Sequence, residues 1–189
     1  MDSWLGLSGT LIVEALARWR VALGFLSGVL VLALAQPSLR SLAAGTAVAL
    51  LGEILRVWAA GHLNKSREVT SSGPYRWFAH PLYVGSSIMG AGLAIGSASV
   101  TAAVVIALYL GLTLTAAIRS EEAFLRKTFG HEYDRYRREA SGPAAGRRFS
   151  LSRAIANREH RAAIGLAVAV LLLLLKATYN GMFWRQPGG

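Results

Sequence analysis

Five apolar runs separated by short polar segments dominate the chain. The runs are Val21 to Ala35, Ser41 to Leu63, Leu82 to Ser97, Thr101 to Ile118 and Ala162 to Ala177. Several are shorter than the roughly 20 residues that a bilayer core requires, so flanking residues or local thinning of the bilayer must make up the difference. The pattern predicts an all-α, polytopic membrane protein of about five transmembrane helices, forming one domain over residues 1–189.

The segments between the runs carry turn and interface signals. Gln36-Pro37 ends the first run, and Gly96-Ser97-Ala98-Ser99 predicts a tight reversal that joins the third and fourth runs into a hairpin. Residues 4–19 place large apolar side chains at helical spacing, interrupted by Glu14 and Arg18. This stretch is either an amphipathic helix lying at the membrane interface or an extension of the first span. We expect no cleaved signal peptide, because Asp2 precedes the first hydrophobic stretch.

Composition supports the membrane interpretation. Apolar residues make up 53% of the chain, charged residues only 16%, and the mean hydropathy is +0.42. The net charge of +10 does not indicate a nucleic-acid partner, because the basic residues lie between apolar runs, where they suit a membrane surface. The absence of cysteine excludes disulfides, Cys-ligated zinc and a thiol nucleophile.

The distribution of basic residues predicts an orientation. Sixteen of the 20 Lys and Arg residues lie before the first run, between the second and third, or between the fourth and fifth. Arg40, Lys176 and Arg185 lie on the other side, and Arg56 lies within a run. Basic loops stay in the cytoplasm, so we expect a multi-pass protein of a bacterial or archaeal plasma membrane with a cytoplasmic N-terminus and an external C-terminus.

The segment that opens the third run carries candidate chemistry. It reads Gly-Pro-Tyr-Arg-Trp-Phe-Ala-His-Pro-Leu-Tyr-Val-Gly over residues 73–85. Pro81 suits the first turn of a helix, so His80 lies near a helix N-terminus, which favours anions. His80 and Tyr83 either bind an anionic ligand group, or cap and anchor the helix. In the same run, Gly90 and Gly92 either admit a ligand or allow close helix packing.

A second polar segment follows the fourth run. On a helix that continues from this run and ends at Gly130, Arg119 and Glu122 share a face and Glu121 points elsewhere, where it can face a pocket. These charges form either a solvated face, in which Glu122 pairs with Arg126, or a functional site at the membrane exit of a span.

Four motifs occur in order in this part of the chain: Gly-Pro-Tyr-Arg, His-Pro-x-Tyr-x-Gly, Glu-Glu-x-x-Leu and Phe-Gly-x-x-Tyr-x-x-Tyr. Together they resemble the isoprenylcysteine carboxyl methyltransferase family and its phospholipid methyltransferase relatives, over residues 53–138. The stretch from Glu53 and Arg56 to Lys65 is similar to the second-span exit of that family. Two positions depart from the family pattern: Ala79 stands where Arg is common, and Glu139-Ala140 where Val-Pro is common.

The resemblance implies S-adenosylmethionine as the cofactor, bound at the cytoplasmic side by the segments between the second and third spans and between the fourth and fifth. It implies no metal and no obligate protein partner. It gives a catalytic role to Arg119, which would orient an acceptor carboxylate, and to Glu122. The implied cofactor-binding residues are His80, Pro81, Tyr83, Gly85, Gly90, Gly92, Glu121, Tyr133 and Tyr136.

Three reactions remain open at this point. The first is methylation of the carboxylate of an isoprenylcysteine-like, membrane-embedded substrate. The second is N-methylation of a phospholipid of the phosphatidylethanolamine type. The third is NADPH-dependent reduction of a sterol-type substrate, because that superfamily shares the His-Pro-x-Tyr-x-Gly run. A non-enzymatic membrane scaffold would leave the clustered polar motifs unexplained.

Overall fold

The computed structural model describes residues 19, 21–64, 69–131, 134 and 148–183. Within these residues the chain is helical and contains no strand, which confirms the predicted all-α class. The α-helices are α1 (Val21–Leu34), α2 (Leu39–His62), α3 (Pro81–Ser97), α4 (Val100–Phe129), α5 (Leu151–Ala156) and α6 (His160–Phe183). A 3-10 turn at Gly73–Arg76 lies between α2 and α3.

Three helices are long and apolar enough to cross a membrane: α2, α4 and residues His160–Asn180 of α6. The remaining two predicted spans also form helices, but both are shorter. Helix α3 has 17 residues, which gives a length of about 26 Å at 1.5 Å per residue, and α1 is shorter still. Each predicted apolar run is therefore a helix, whereas the count of five spans and the orientation stay predictions. The interfacial helix predicted over residues 4–19 lies, except for Trp19, outside the described residues.

The helix ends follow from local sequence. Ser38 and Ser41 form a reciprocal capping box that starts α2, and Pro81 occupies the first turn of α3. The reversal between α3 and α4 takes two residues, Ala98 in the left-handed region and Ser99, whose side chain accepts a hydrogen bond from the Ala102 backbone. Gly130 follows the last residue of α4, so the predicted hairpin and the predicted end of the fourth helix are both confirmed.

Helices α2 and α3 pack almost backbone to backbone. A Cβ atom on Gly92 would lie 2.4 Å from the Ala49 nitrogen, and one on Gly45 would lie 2.4 Å from the Gly96 nitrogen. Further along, a Cβ atom on Gly85 would lie 2.7 Å from the Gly52 carbonyl oxygen. Small residues permit such an approach between membrane helices, where dispersion contacts replace the hydrophobic driving force. The glycines thus form a seam along the α2–α3 interface.

Helix α6 completes the bundle by contacting the ends of α1 and α2. The Lys176 ammonium donates to the carbonyl oxygens of Leu32 and Ala33, the latter at 2.8 Å, near the C-terminal end of α1. These carbonyls have no partner within their own helix. Leu173 packs with Ala35 and Leu42 in a small apolar core at the same level. The interaction fixes α1 against α6 at the end of the bundle that holds the α3–α4 reversal.

The opposite end, which we call the basic end, contains the last residue of α2, the first of α3 and the first of α6. Here Asn157 donates its side-chain N–H groups to the carbonyl oxygens of Ala60 and Leu63, at 2.9 and 3.0 Å. The Phe149 ring lies against the His62 ring, with centroids 6.3 Å apart. Gly73, at φ +59°, lacks a Cβ that would fall 2.6 Å from the same imidazole. His62 therefore joins α5 to the turn that leads into α3.

Candidate active site

An apolar cavity of about 780 Å³ separates α3 from α4. On the α3 side it extends from His80 to Ala94, about 21 Å along the helix at 1.5 Å per residue. Most of its lining is apolar and small. The polar side chains are few, and His80 and Tyr83 lie at the basic end of the cavity, beside the aromatic rings of Trp77 and Phe78. The cavity is a long apolar slot with a polar, aromatic mouth.

His80 connects the two walls of this mouth. Its Nε2 atom lies 3.2 Å from Glu122 Oε1, within hydrogen-bond distance, and its Nδ1 atom lies 3.8 Å from Glu121 Oε2. The His80 side chain is only 13% exposed and that of Glu122 20%. The Tyr83 ring lies beside the imidazole, with centroids 5.7 Å apart. The structure thus brings together four of the predicted site residues, and both members of the Glu-Glu pair face His80.

The His80 side chain does not cap its own helix. His80 is the N-cap residue of α3, but its side chain makes no capping hydrogen bond, and it is directed across to α4. Pro81 is fully buried at the first turn. The imidazole is instead within hydrogen-bond distance of Glu122 on α4. This geometry favours a functional histidine over a structural cap.

The three predicted glycines have two different environments. Gly90 lines the cavity, and a Cβ atom there would lie 2.1 Å from the Cδ1 atom of Leu110 on α4. Gly85 and Gly92 instead face α2 in the glycine seam. The structure therefore gives Gly85 and Gly92 a packing contact, and of the three only Gly90 borders the cavity.

The remaining predicted residues lie at or beyond the mouth. Arg119 is exposed on α4 and directly follows Ile118, which lines the cavity. It stands one turn before Glu122, as the spacing predicted. Tyr133 and Tyr136 lie outside the described residues, so their assignment to the cofactor site stays a prediction.

A charge network that the motifs did not predict lies behind α3. Arg56 donates from Nε to Glu159 Oε1 at 2.6 Å, and from Nη1 to the Leu82 carbonyl oxygen at 3.3 Å and to the Ser86 hydroxyl. Glu159 is 6% exposed. These bonds tie the first turns of α3, and hence His80, to α2 and to the start of α6. The available signal was a lone Arg within an apolar run and a lone Glu within the Arg-rich stretch from residue 147 to 161.

The part of the chain that the structure describes holds no group of three or more His, Cys, Asp or Glu side chains arranged to bind a metal ion. The chain is similar to two curated proteins that are named for resistance to metals. It is 39% identical over 100 residues to the nickel-cobalt-cadmium resistance protein NccN of Alcaligenes xylosoxydans xylosoxydans. It is 38% identical over 107 residues to the cobalt-zinc-cadmium resistance protein CzcN of Cupriavidus metallidurans.

These alignments cover 52% and 54% of this chain, and 46% and 47% of the two relatives. The chain therefore spans about half the length of the curated relatives it matches. No solved structure matches the chain significantly.

The family assignment comes from a match that covers the site. Residues 19–132 match the model of the phospholipid methyltransferase family. This segment contains α1 to α4, the whole lining of the cavity, and His80 with its two carboxylates. The match confirms the resemblance seen in the motifs, and this chain belongs to the phospholipid methyltransferase family.

Proposed function

We propose that this protein is an S-adenosylmethionine-dependent methyltransferase that methylates the polar end of a membrane-embedded amphiphile, most specifically the carboxylate of an isoprenylcysteine-like acceptor. The observation that carries the proposal is the half-buried cluster of His80, Glu121 and Glu122 at the mouth of the α3–α4 cavity. Polar groups concentrated at one end of an apolar cavity are characteristic of a small-molecule site.

The shape of the cavity supports an acceptor with an apolar tail. A slot of about 21 Å at helical rise accommodates a single extended hydrocarbon chain. The reversal at Ala98 lies beyond one end of the slot, and the contact between His80 and Glu122 lies at the other. An acceptor that enters sideways from the bilayer would place its tail in the slot and its polar end beside His80.

The residues at the mouth fit S-adenosylmethionine, which carries a sulfonium and an ammonium. The carboxylates of Glu121 and Glu122 lie beside His80, which lines the mouth, and the aromatic rings of Tyr83 and Trp77 suit a cation. His80 and Glu122 would hold the methionine part of the cofactor, and Tyr133 and Tyr136 would bind its adenosine. When bound, the cofactor would supply an electrophilic methyl group, with the neutral thioether as the leaving group.

For a carboxylate acceptor, the chain needs to supply positioning rather than proton transfer. The acceptor is already ionised, so no general base is required. Orienting two bound reactants contributes on the order of 7–11 kcal/mol in favourable cases. Arg119, which follows the cavity-lining Ile118, would orient the carboxylate by a bidentate interaction. Exclusion of water by the apolar walls strengthens these charge interactions.

A phospholipid amine is the second candidate acceptor. The family to which the chain belongs is described by phospholipid methylation, and an ammonium must lose a proton before it can attack. The imidazole of His80, within hydrogen-bond distance of Glu122, would accept that proton. The two candidates therefore differ in what they require of His80: a base for the amine, and only a polar contact for the carboxylate.

Incubating the purified protein with methyl-labelled cofactor distinguishes the acceptors. The panel contains an isoprenylated cysteine, phosphatidylethanolamine and a sterol with NADPH. Labelled ester, which base hydrolyses, supports the carboxylate, whereas base-stable product supports the amine. Glu122→Gln should lower either signal strongly, and His80→Gln should lower N-methylation far more than ester formation. His160→Gln, which alters an exposed histidine at the same end, should leave both signals unchanged. Reduction of the sterol without methyl transfer would contradict the proposal.

A further inference from the structure

A positively charged surface that carries two exposed apolar side chains covers α5 and the turn after it. Arg148, Arg158 and Arg161 are exposed. Leu151 and Ile155 are 60% and 55% exposed, and their spacing of four residues places them on one face of the helix. We call these five residues the α5 surface.

The positive charge of this surface is not cancelled by its neighbours in sequence. The acidic residue between 148 and 161 is Glu159, which is buried and bonded to Arg56. The surface is also held in place, because Ala154 is 3% exposed and Asn157 bonds the end of α2. The α5 surface therefore presents fixed positive charges beside apolar side chains.

Arg158 provides an independent observation. Its φ of 62° lies in the left-handed region, which glycine and asparagine adopt more readily than arginine. The position ends α5 and starts the turn into α6. The turn would suit glycine or asparagine, and the residue that occupies it carries an exposed guanidinium.

We propose that the α5 surface docks the anionic phospholipid headgroups of the leaflet at the basic end. Helix α6, a candidate span, begins at His160, so α5 lies where the chain enters the bilayer. At that level Leu151 and Ile155 insert among the acyl chains, as in interfacial helices. The guanidiniums bind phosphate by bidentate hydrogen bonds.

A short series of contacts connects the α5 surface to the active site. Phe149, which precedes α5, contacts His62. His62 in turn contacts Gly73, in the turn that leads to His80. The docking itself does not depend on which reaction the site catalyses.

The experiment uses nanodiscs with equal amounts of phosphatidylcholine and phosphatidylglycerol, and measures by native mass spectrometry which lipid remains bound. The unaltered protein should retain phosphatidylglycerol preferentially. Arg158→Asn and Arg161→Gln should each weaken that preference about five-fold, because one basic residue near an anionic membrane surface contributes about that factor. Arg40→Gln, an exposed arginine at the other end of α2, should leave the preference unchanged.

Thermal unfolding in neutral detergent shows whether a variant loses its lipid preference because it folds less stably or because it no longer binds the headgroup. Arg158→Asn should unfold at the same or a higher temperature than the unaltered protein, since asparagine tolerates the left-handed backbone. Equal retention of both lipids by the unaltered protein would overturn the proposal. So would an equal loss in Arg40→Gln, or a preference that persists when Arg158 and Arg161 are both replaced.

Discussion

The glycine seam between α2 and α3 allows a quantitative test at Gly92. The Cβ atom of an alanine there would lie 2.4 Å from the Ala49 nitrogen and 2.5 Å from the Gly45 carbonyl oxygen, where ordinary contacts start near 3.4 Å. Both neighbours are backbone atoms, which cannot rotate away. The helices must therefore separate by about 1 Å, since packed interiors contain no spare room.

A separation of this size has a calculable cost. Overpacking of a well-packed interface destabilises by about 1–3 kcal/mol. It also breaks marginal bonds across the seam, such as Arg56 Nη1 to the Leu82 carbonyl at 3.3 Å and Ser41 Oγ to the Gly96 carbonyl at 3.4 Å. Against this, Gly→Ala within a helix gains only about 0.5–1 kcal/mol. We therefore expect net destabilisation.

Thermal unfolding in detergent, with and without S-adenosylmethionine, measures the effect. Gly92→Ala should lower the midpoint by several degrees, at about 2–4 °C per kcal/mol for a chain of this size, whether or not the cofactor is present. The matched control is Gly165→Ala in α6, where a Cβ meets nothing within 4 Å. If Gly92→Ala unfolds no earlier than Gly165→Ala, or loses only its response to the cofactor, the packing argument is wrong.

Three further predictions concern polar side chains. His80→Gln should lower the rate of amine methylation by about 10²–10⁴, the usual contribution of a general base, but should lower carboxylate methylation much less, as measured by initial rates. Arg56→Met should destabilise by about 3–5 kcal/mol because it leaves Glu53 and Glu159 buried without their shared cation; combining Arg56→Met with Glu53→Gln and Glu159→Gln should recover most of this loss in denaturant unfolding. Lys176→Met should cost about 1.5–3 kcal/mol because it removes charged hydrogen bonds from α1 carbonyls, whereas Lys176→Arg should retain most of the stability.

The helices and their ends were largely predictable, because they depend on neighbours in sequence. Apolar runs give the helices, Pro81 gives the start of α3, and Gly130 gives the end of α4. The contact between His80 and the Glu-Glu pair was implied only in outline, since family motifs place these residues in one site without giving distances.

What could not be predicted depends on helix rotation and on distant pairing. Gly90 and Gly92 are two positions apart, so they lie on different sides of α3, and nothing local tells which side faces α2. Arg56 and Glu159 are 103 positions apart. Each has oppositely charged residues nearby in sequence, Glu53 for Arg56 and Arg158 for Glu159, and only the arrangement of α2, α3 and α6 pairs Arg56 with Glu159.

The two-residue reversal at Ala98 also connects α3 and α4 at one end, so that this turn acts as a hinge between the two helices. Helix α3 extends about 26 Å from that hinge at helical rise, so each degree of angular change shifts the far end by about 0.4 Å. The hydrogen bond between His80 and Glu122, at 3.2 Å, lies near this far end and holds α3 and α4 together there. A change of only a few degrees in the angle between α3 and α4 would break the contact between His80 and Glu122. A lipid molecule could then enter the slot while the glycine seam between α2 and α3 stays intact.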